Sequence, residues 1–287
     1  MIIYRFWVLP QKTKGNWKLE IGNYKMGLKI AIGGKGGVGK TTVCAVLAQL
    51  FVEDGFDVLA VDADPNTGLC SAFGISAEQS PQPLIKMKEL IAERTGTGKD
   101  TVGAYFRLNP KVSDLPDKYS LKMNGLKLLV LGAITNAGAG CACPEGAFLK
   151  AMLINTILQR QEVVIVDLAA GPEFLGRASI QGIDAFVIVV EPGGRSIETA
   201  VNMARMGKEL GIRQLTVVAN KITDDSQIKV IASQLGNLPV IANIKYDSAI
   251  QQADLQRKNV FQKNTALAED LRQAKVRLTE LIKPSGV

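Results

Sequence analysis

Two stretches of the chain carry residue types at spacings suited to chemistry. The first is GKGGVGKT, Gly34 to Thr41. It has the form G-x-x-x-x-G-K-[ST], with an apolar run before it and helical spacing over Lys40 to Asp54 after it. Gly34, Gly36, Gly37 and Gly39, interleaved with Lys35 and Val38, let successive backbone N–H groups turn inward on phosphate oxygens. The helix start adds its positive dipole end. Lys40 suits the β- and γ-phosphates of ATP, and Thr41, followed by Thr42, suits a hydroxyl contact to Mg²⁺. The second stretch is GAGCACPEG, residues 138–146, in which Cys141 and Cys143 lie two apart before Pro144 and Glu145, which are expected to begin a helix over Gly146 to Gln159. In an extended segment their side chains face one side, roughly 7 Å apart along the chain. Such a pair can clamp a metal, and the positive helix end favours thiolate over thiol.

Two sulfurs fill half of a four-coordinate site. The chain has no histidine, so carboxylate, water or a second copy of the chain must complete it. Two clamps at a twofold axis give four thiolates, suited to Zn²⁺ in a tetrahedral site or Ni²⁺ in a square-planar one. A strained local disulfide, or two ordinary small turn residues, also fit C-x-C alone. The other cysteines, Cys44 in the first helix and Cys70 further on, read as packing residues.

Acids stand where phosphoanhydride hydrolysis needs them. VDADPN holds Asp62 and Asp64, which share a face if the strand continues. One carboxylate near Mg²⁺ and one holding the attacking water is the required pair. VVIVD ends in Asp167, suited to hold Mg²⁺ through water, and LAAG follows, with Gly171 able to let that loop respond to the γ-phosphate.

These residues need a scaffold that gathers them. From Leu28 onward short apolar runs alternate with amphipathic segments, the pattern of an α/β fold with a mainly parallel sheet flanked by helices. Strands are expected at Leu28 to Gly33, Val58 to Asp62, Leu126 to Gly132, Val163 to Asp167, Ala185 to Val190, Gln214 to Asn220 and Val240 to Asn243. Right-handed crossovers put the loops after these strands on one edge, and every motif above falls in such a loop. Residues 75–125 break the rhythm and read as an insertion with one helix near Leu84 to Arg94. A last helix, Asn264 to Ile282, sets Leu267, Leu271, Ala274, Leu278 and Leu281 on one buried stripe.

Composition narrows the function classes. Four cysteines in 287 residues make no disulfide scaffold, which points to a reducing, cytoplasmic setting. The net charge is +7, but residues 1–25 hold Arg5, Lys12, Lys14, Lys18 and Lys25 against Glu20 alone, more than half of the surplus. The remainder is scattered, so no nucleic-acid groove is expected, and the last helix carries mixed charges rather than the basic face of a membrane-binding helix. Residues 1–25 also hold both tryptophans and interrupt the pattern. They read as a disordered extension or a start-site artefact ahead of a single domain, 26–287.

The added Lys35 makes the loop resemble the deviant Walker A sequence, K-G-G-x-G-K-[ST], of the P-loop ATPase superfamily of the nitrogenase iron protein and the plasmid-partitioning and septum-positioning ATPases. That resemblance implies an ATP-clamped homodimer in which Lys35 reaches the partner's phosphates, Asp64 directs the water and Asn220 reads the adenine edge. GCACPEGAFLKAML and the EP-x-x-R-S-I-E-T-A run from Glu191 narrow it: over Met26 to the last helix the chain resembles the nickel-insertion ATPases that mature carbon monoxide dehydrogenase. The resemblance implies that Cys141 and Cys143 bind the metal. The partner implied is apo carbon monoxide dehydrogenase or the related acetyl-CoA synthase. Where that family often has E-H-L-G-R, this chain has Glu173-Phe174-Leu175-Gly176-Arg177, so a role for that histidine has no counterpart. Two other classes share the loop, an iron–sulfur reductase of the nitrogenase iron protein type and a positioning switch.

Overall fold

The computed structural model describes residues 11–13, 16–18, 27–97, 106–133, 143–159, 162–171, 182–263 and 265–282. Two three-residue strands, β1 (Gln11–Thr13) and β2 (Asn16–Lys18), form a separate antiparallel pair. The other described strands form an eight-stranded sheet. In chain order it comprises β3 (Lys29–Gly34), β4 (Val58–Ala63), β5 (Leu121–Met123), β6 (Leu126–Val130), β7 (Val163–Leu168), β8 (Ala185–Val190), β9 (Gln214–Ile222) and β10 (Val240–Lys245). The spatial order is β10-β9-β8-β3-β7-β4-β6-β5, parallel except for β5. All seven expected strands are present.

The expected parallel sheet follows from the composition of these strands. β3, β4, β7 and β8 are buried along their whole length, because helices cover both faces. On one face Ile30, Ile32, Val58 and Ala60 pack beneath α1 (Lys40–Glu53) and α10 (Thr265–Ile282), with α2 (Leu69–Ala72), α8 (Ser248–Leu255) and α9 (Val260–Lys263) beside them. On the other, Ala31, Leu59 and Val61 meet α3 (Lys88–Thr95), α4 (Leu115–Tyr119), α5 (Pro144–Gln159), α6 (Gly194–Glu209) and α7 (Asp225–Leu235). Alternate residues of each strand thus feed two cores. Among the described residues no helix is long and apolar enough to cross a membrane.

Several local expectations need correction. The helix expected near Leu84 to Arg94 is split: Leu84–Lys86 is a 3₁₀ turn, Met87 is non-helical, and α3 begins only at Lys88. α5 does begin with Pro144 and Glu145, as expected, since proline at the first helical position loses no hydrogen bond. Leu281 does not join the buried stripe of α10 and is 37% exposed, one residue before the helix ends. Strand β5 was not anticipated. Met123 pairs with Leu126 across Asn124 and Gly125, whose φ of 73° suits a two-residue hairpin turn.

Strand order gathers the motifs. The chain passes from β3 over to β4, returns through β7 between them, then steps to β8 on the far side of β3. Loops on either side of β3 therefore run in opposite directions, which opens the crevice where such sheets hold ligands.

α10 is tied to α1 by a buried ammonium. Lys275, 3% exposed, donates to the Leu50 carbonyl at 2.9 Å and to Asp54 Oδ2 at 2.6 Å, and lies 5.6 Å from the centre of the Phe51 ring. Removing one partner of such a pair strands a charge, whereas an apolar replacement of the other removes it. Asp54→Ala is expected to cost about 2–3 kcal/mol, and Lys275→Met no more than about 1 kcal/mol. Urea unfolding of both variants checks this.

Candidate nucleotide site

The loop from β3 to α1 is shaped by glycine and held from outside by side chains. Gly34 (φ 148°) runs so close to the Val189 carbonyl that a Cβ would collide with it. Gly39 (φ 96°) is the N-cap of α1, and a Cβ there would strike Asn220 Nδ2. No side chain caps this helix and no acid lies in its first turn, so its leading N–H groups remain for an anion. Asn220 Nδ2 donates to the Val38 carbonyl at 2.8 Å, and Lys221 Nζ to the Gly37 carbonyl at 2.6 Å. In a trans peptide C=O and N–H point oppositely, so holding these carbonyls outward turns the following N–H groups inward. Lys40, buried, donates to the Lys35 carbonyl at 3.4 Å across the loop.

Three acids converge beside it. Asp62 and Asp167 sit in register on adjacent strands β4 and β7, both fully buried. Asp167 Oδ2 accepts from Thr41 Oγ1 at 2.7 Å, while its Oδ1 is buried with no hydrogen-bond partner. A hydroxyl and an unpartnered carboxylate oxygen beside a phosphate loop fit Mg²⁺, which takes one or two protein oxygens and fills the rest of its shell with water and phosphate. Burial, with the charge of Asp62 beside it, pushes the Asp167 carboxyl up to about 7. Burial likewise pushes Asp62 up to about 6.

Asp62 has a different role from the one its spacing suggested. β4 ends at Ala63, so Asp64 lies beyond the strand and does not share its face. Asp62 Oδ1 accepts from the Asp64 N–H at 3.2 Å and Oδ2 from the Leu69 N–H at 2.9 Å. It braces the following turn, in which Asp64, half-buried, accepts from the Asn66 N–H at 2.8 Å. Gly171, after β7, donates its N–H to the Gly34 carbonyl at 3.2 Å, joining that loop to the phosphate loop.

A cavity of about 550 Å³ opens from this loop. Gly37, Gly39, Lys40, Thr41, Thr42 and Asn220 line it on one side, and Tyr246, Asp247, Ile250 and Gln251 on the other. Sequence reasoning missed this second wall, and it missed Lys221 and Glu191. Glu191 Oε2 accepts from Lys221 at 3.0 Å and Oε1 lies 3.9 Å from Lys35 Nζ. The Asn-Lys pair at the end of an apolar strand was the available signal for Lys221.

Cys143 is the residue before α5, and its Sγ accepts the Gly146 N–H at 3.3 Å, capping the helix. Cys141 lies outside the described residues, as do Glu173 to Arg177. Among the described residues no three histidine, cysteine or acidic side chains gather as a metal site. Cys44 and Cys70 are buried as expected, and burial pushes both thiols up.

The family model for the CobQ/CobB/MinD/ParA nucleotide binding domain matches residues 29–260. The carbon monoxide dehydrogenase accessory protein CooC of Rhodospirillum rubrum is 37% identical over 90% of this chain and 98% of that protein. An uncharacterized ATP-binding protein of Methanocaldococcus jannaschii is 42% identical over 81% of this chain and 91% of its own length. Among solved structures, the septum site-determining protein MinD with Mg-ADP from Pyrococcus horikoshii has a TM-score of 0.65 at 17% identity, covering 90% of this chain and 98% of that one. A ParA family ATPase from Chlorobium tepidum has a TM-score of 0.64 at 19% identity, covering 86% and 98%. At such identities the solved structures bear on the fold alone.

The buried acids predict a pH dependence. An unfolded carboxyl titrates at about 4, so between there and about 7 the folded, nucleotide-free chain keeps protons at Asp167 that the unfolded chain has lost. Stability then falls as pH rises through that window. Asp167→Asn is expected to raise stability at pH 8 by roughly 1–3 kcal/mol, flatten the slope, and abolish Mg²⁺-dependent nucleotide binding. Denaturant titrations from pH 5 to 8 decide it; an unchanged slope would contradict the assignment.

Proposed function

Since the chain belongs to the CobQ/CobB/MinD/ParA nucleotide-binding family and is an ATPase, we propose that it is a metallochaperone, using ATP to load nickel into apo carbon monoxide dehydrogenase or the related acetyl-CoA synthase. The observation that carries this is that one chain holds both an assembled phosphate loop, with an unpartnered Asp167 oxygen beside it, and Cys143 at the start of α5, the helix that comes after the parallel strand β6 of the same sheet. In this reading a second chain meets both. The likeness to the Rhodospirillum rubrum accessory protein, over nearly its whole length, supports the same client. Residues 1–25 are read as an extension outside the ATPase domain, since the family match begins at residue 29.

In this reading Lys40 neutralises the phosphates and the loop N–H groups cradle them. Thr41 and Asp167 hold Mg²⁺, which supplies charge neutralisation to the phosphate oxygens. Asp64 orients the attacking water and takes its proton, and Asp62 keeps the Asp64 turn in position. Asn220 and the Tyr246 side of the cavity take the adenosine. Lys35 reaches the triphosphate of the second chain, and the two Cys141–Cys143 pairs close on one Ni²⁺ or Zn²⁺ ion as cargo. Hydrolysis removes the trans contact, loosens the pair and frees the metal. Moving a pairing equilibrium from 1:99 to 99:1 takes about 5.5 kcal/mol of differential binding, within reach of trans lysine contacts and four metal–sulfur bonds together.

Equilibrium dialysis against Ni²⁺ with an ATP analogue should find one metal per two wild-type chains and only background in Cys141→Ala/Cys143→Ala. Equal stoichiometry would sink the clamp. Lys35→Ala should keep most of its affinity for nucleotide but lose ATP-dependent self-association, and with it at least about tenfold in kcat, as for removal of a charge that stabilises the transition state. Light scattering and phosphate release measure the two effects.

A further inference from the structure

Glu191 follows the last residue of β8, one strand from the phosphate loop. Its carboxylate serves two lysines that arrive on different loops. Lys221 Nζ donates to Oε2 at 3.0 Å, while Lys35 Nζ lies 3.9 Å from Oε1. Glu191 is itself seated, because its N–H donates to Ser196 Oγ at 3.1 Å in the first turn of α6. Lys221 is held twice, since its ammonium also donates to the Gly37 carbonyl at 2.6 Å. Its backbone is left-handed, with φ 58°. A lysine keeps that conformation only where its surroundings hold it.

The two contacts are unequal in kind. The nearer is a charge-assisted hydrogen bond, and the farther is Coulomb attraction in a site where both partners still touch water. If Lys35 leaves, Lys221 still neutralises the carboxylate. If Lys221 leaves, the Gly37 carbonyl loses its donor as well. Lys35 is thus the releasable partner.

We propose that Glu191 is a positioning residue with two duties: it pins Lys221 to the outer face of the phosphate loop, and it parks Lys35 on its own chain until the triphosphate of a second chain draws that lysine across. This rests on the reading of Lys35 as the lysine lent to the partner. It adds a threshold to it. Pairing must first displace an intrachain contact, which holds self-association back at low nucleotide without blocking it.

The test uses the full-length chain in two steps. First, acetylation rates of individual lysines are followed by mass spectrometry in nucleotide-free wild type and Glu191→Gln. Loss of the neighbouring negative charge should speed Lys35 by roughly two- to fivefold, the scale of a partly exposed ion pair. Lys229, exposed on α7, should not change. An equal Lys35 rate in the two proteins overturns the proposal. Second, sedimentation velocity across a range of non-hydrolysable ATP analogue should show Glu191→Gln pairing at a two- to fivefold lower concentration. An unchanged or higher threshold overturns it. Analogue affinity is measured alongside in a Lys35→Ala background, so that a disturbed loop is not mistaken for a shifted threshold. Wild type that stays monomeric in analogue, with the labelling difference intact, overturns the paired-chain function and the threshold with it. Equal labelling in a wild type that pairs normally overturns only the role of Glu191.

Discussion

The burial of two carboxylates side by side at the ends of β4 and β7 is the constraint around which the site is arranged. Like charges in a dry site repel, so each oxygen needs a donor or a cation. Asp62 meets that need from its own loop, with the N–H groups of Asp64 and Leu69. Asp167 meets only half of it, through Thr41, and leaves one oxygen with no partner. The difference divides the labour: one acid builds the turn that carries Asp64, and the other is left wanting a cation. Insertion of β7 between β3 and β4 brings this pair within reach of Thr41 on α1.

The phosphate loop depends on a second device of the same kind. Its glycines permit the turn but do not fix it, and the fixing comes from β9. Asn220 and Lys221, consecutive in sequence, reach two consecutive carbonyls of the loop. Consecutive residues in a regular strand face opposite ways. Both can reach the same loop because Lys221 departs from strand geometry into the left-handed region. A local backbone cost is thereby exchanged for a preset orientation of N–H groups, which need not be ordered when phosphate binds.

Much of this was legible beforehand. Strands buried on both faces are nearly unbroken apolar runs, so all seven parallel strands could be read from composition and spacing, as could the loop glycines with Lys40, Thr41 and Asp167. What escaped has a common cause. Lys221 and Glu191 act through neighbours distant in sequence, and Tyr246 lines a cavity whose other wall comes from the phosphate loop; nothing local to them states which loop they will face. The role of Asp62 depended on where β4 stops, one residue before the acid assumed to share its face. β5 was hidden by brevity, although Asn124-Gly125 marks a tight hairpin. Leu281 obeys helical periodicity, but the stripe it belongs to runs past the edge of the surface it covers.

The sulfur of Cys143 is already engaged as the cap of α5. An amide pointing at sulfur withdraws electron density from it, and hydrogen bonds of this type tune how firmly metals sit on thiolates. In the role proposed for this chain, such a donor would loosen the hold of the sulfur on its cargo, which suits a carrier that must hand its metal on. The Gly146 N–H stays beside the sulfur with or without a metal, so release need not undo the start of the helix.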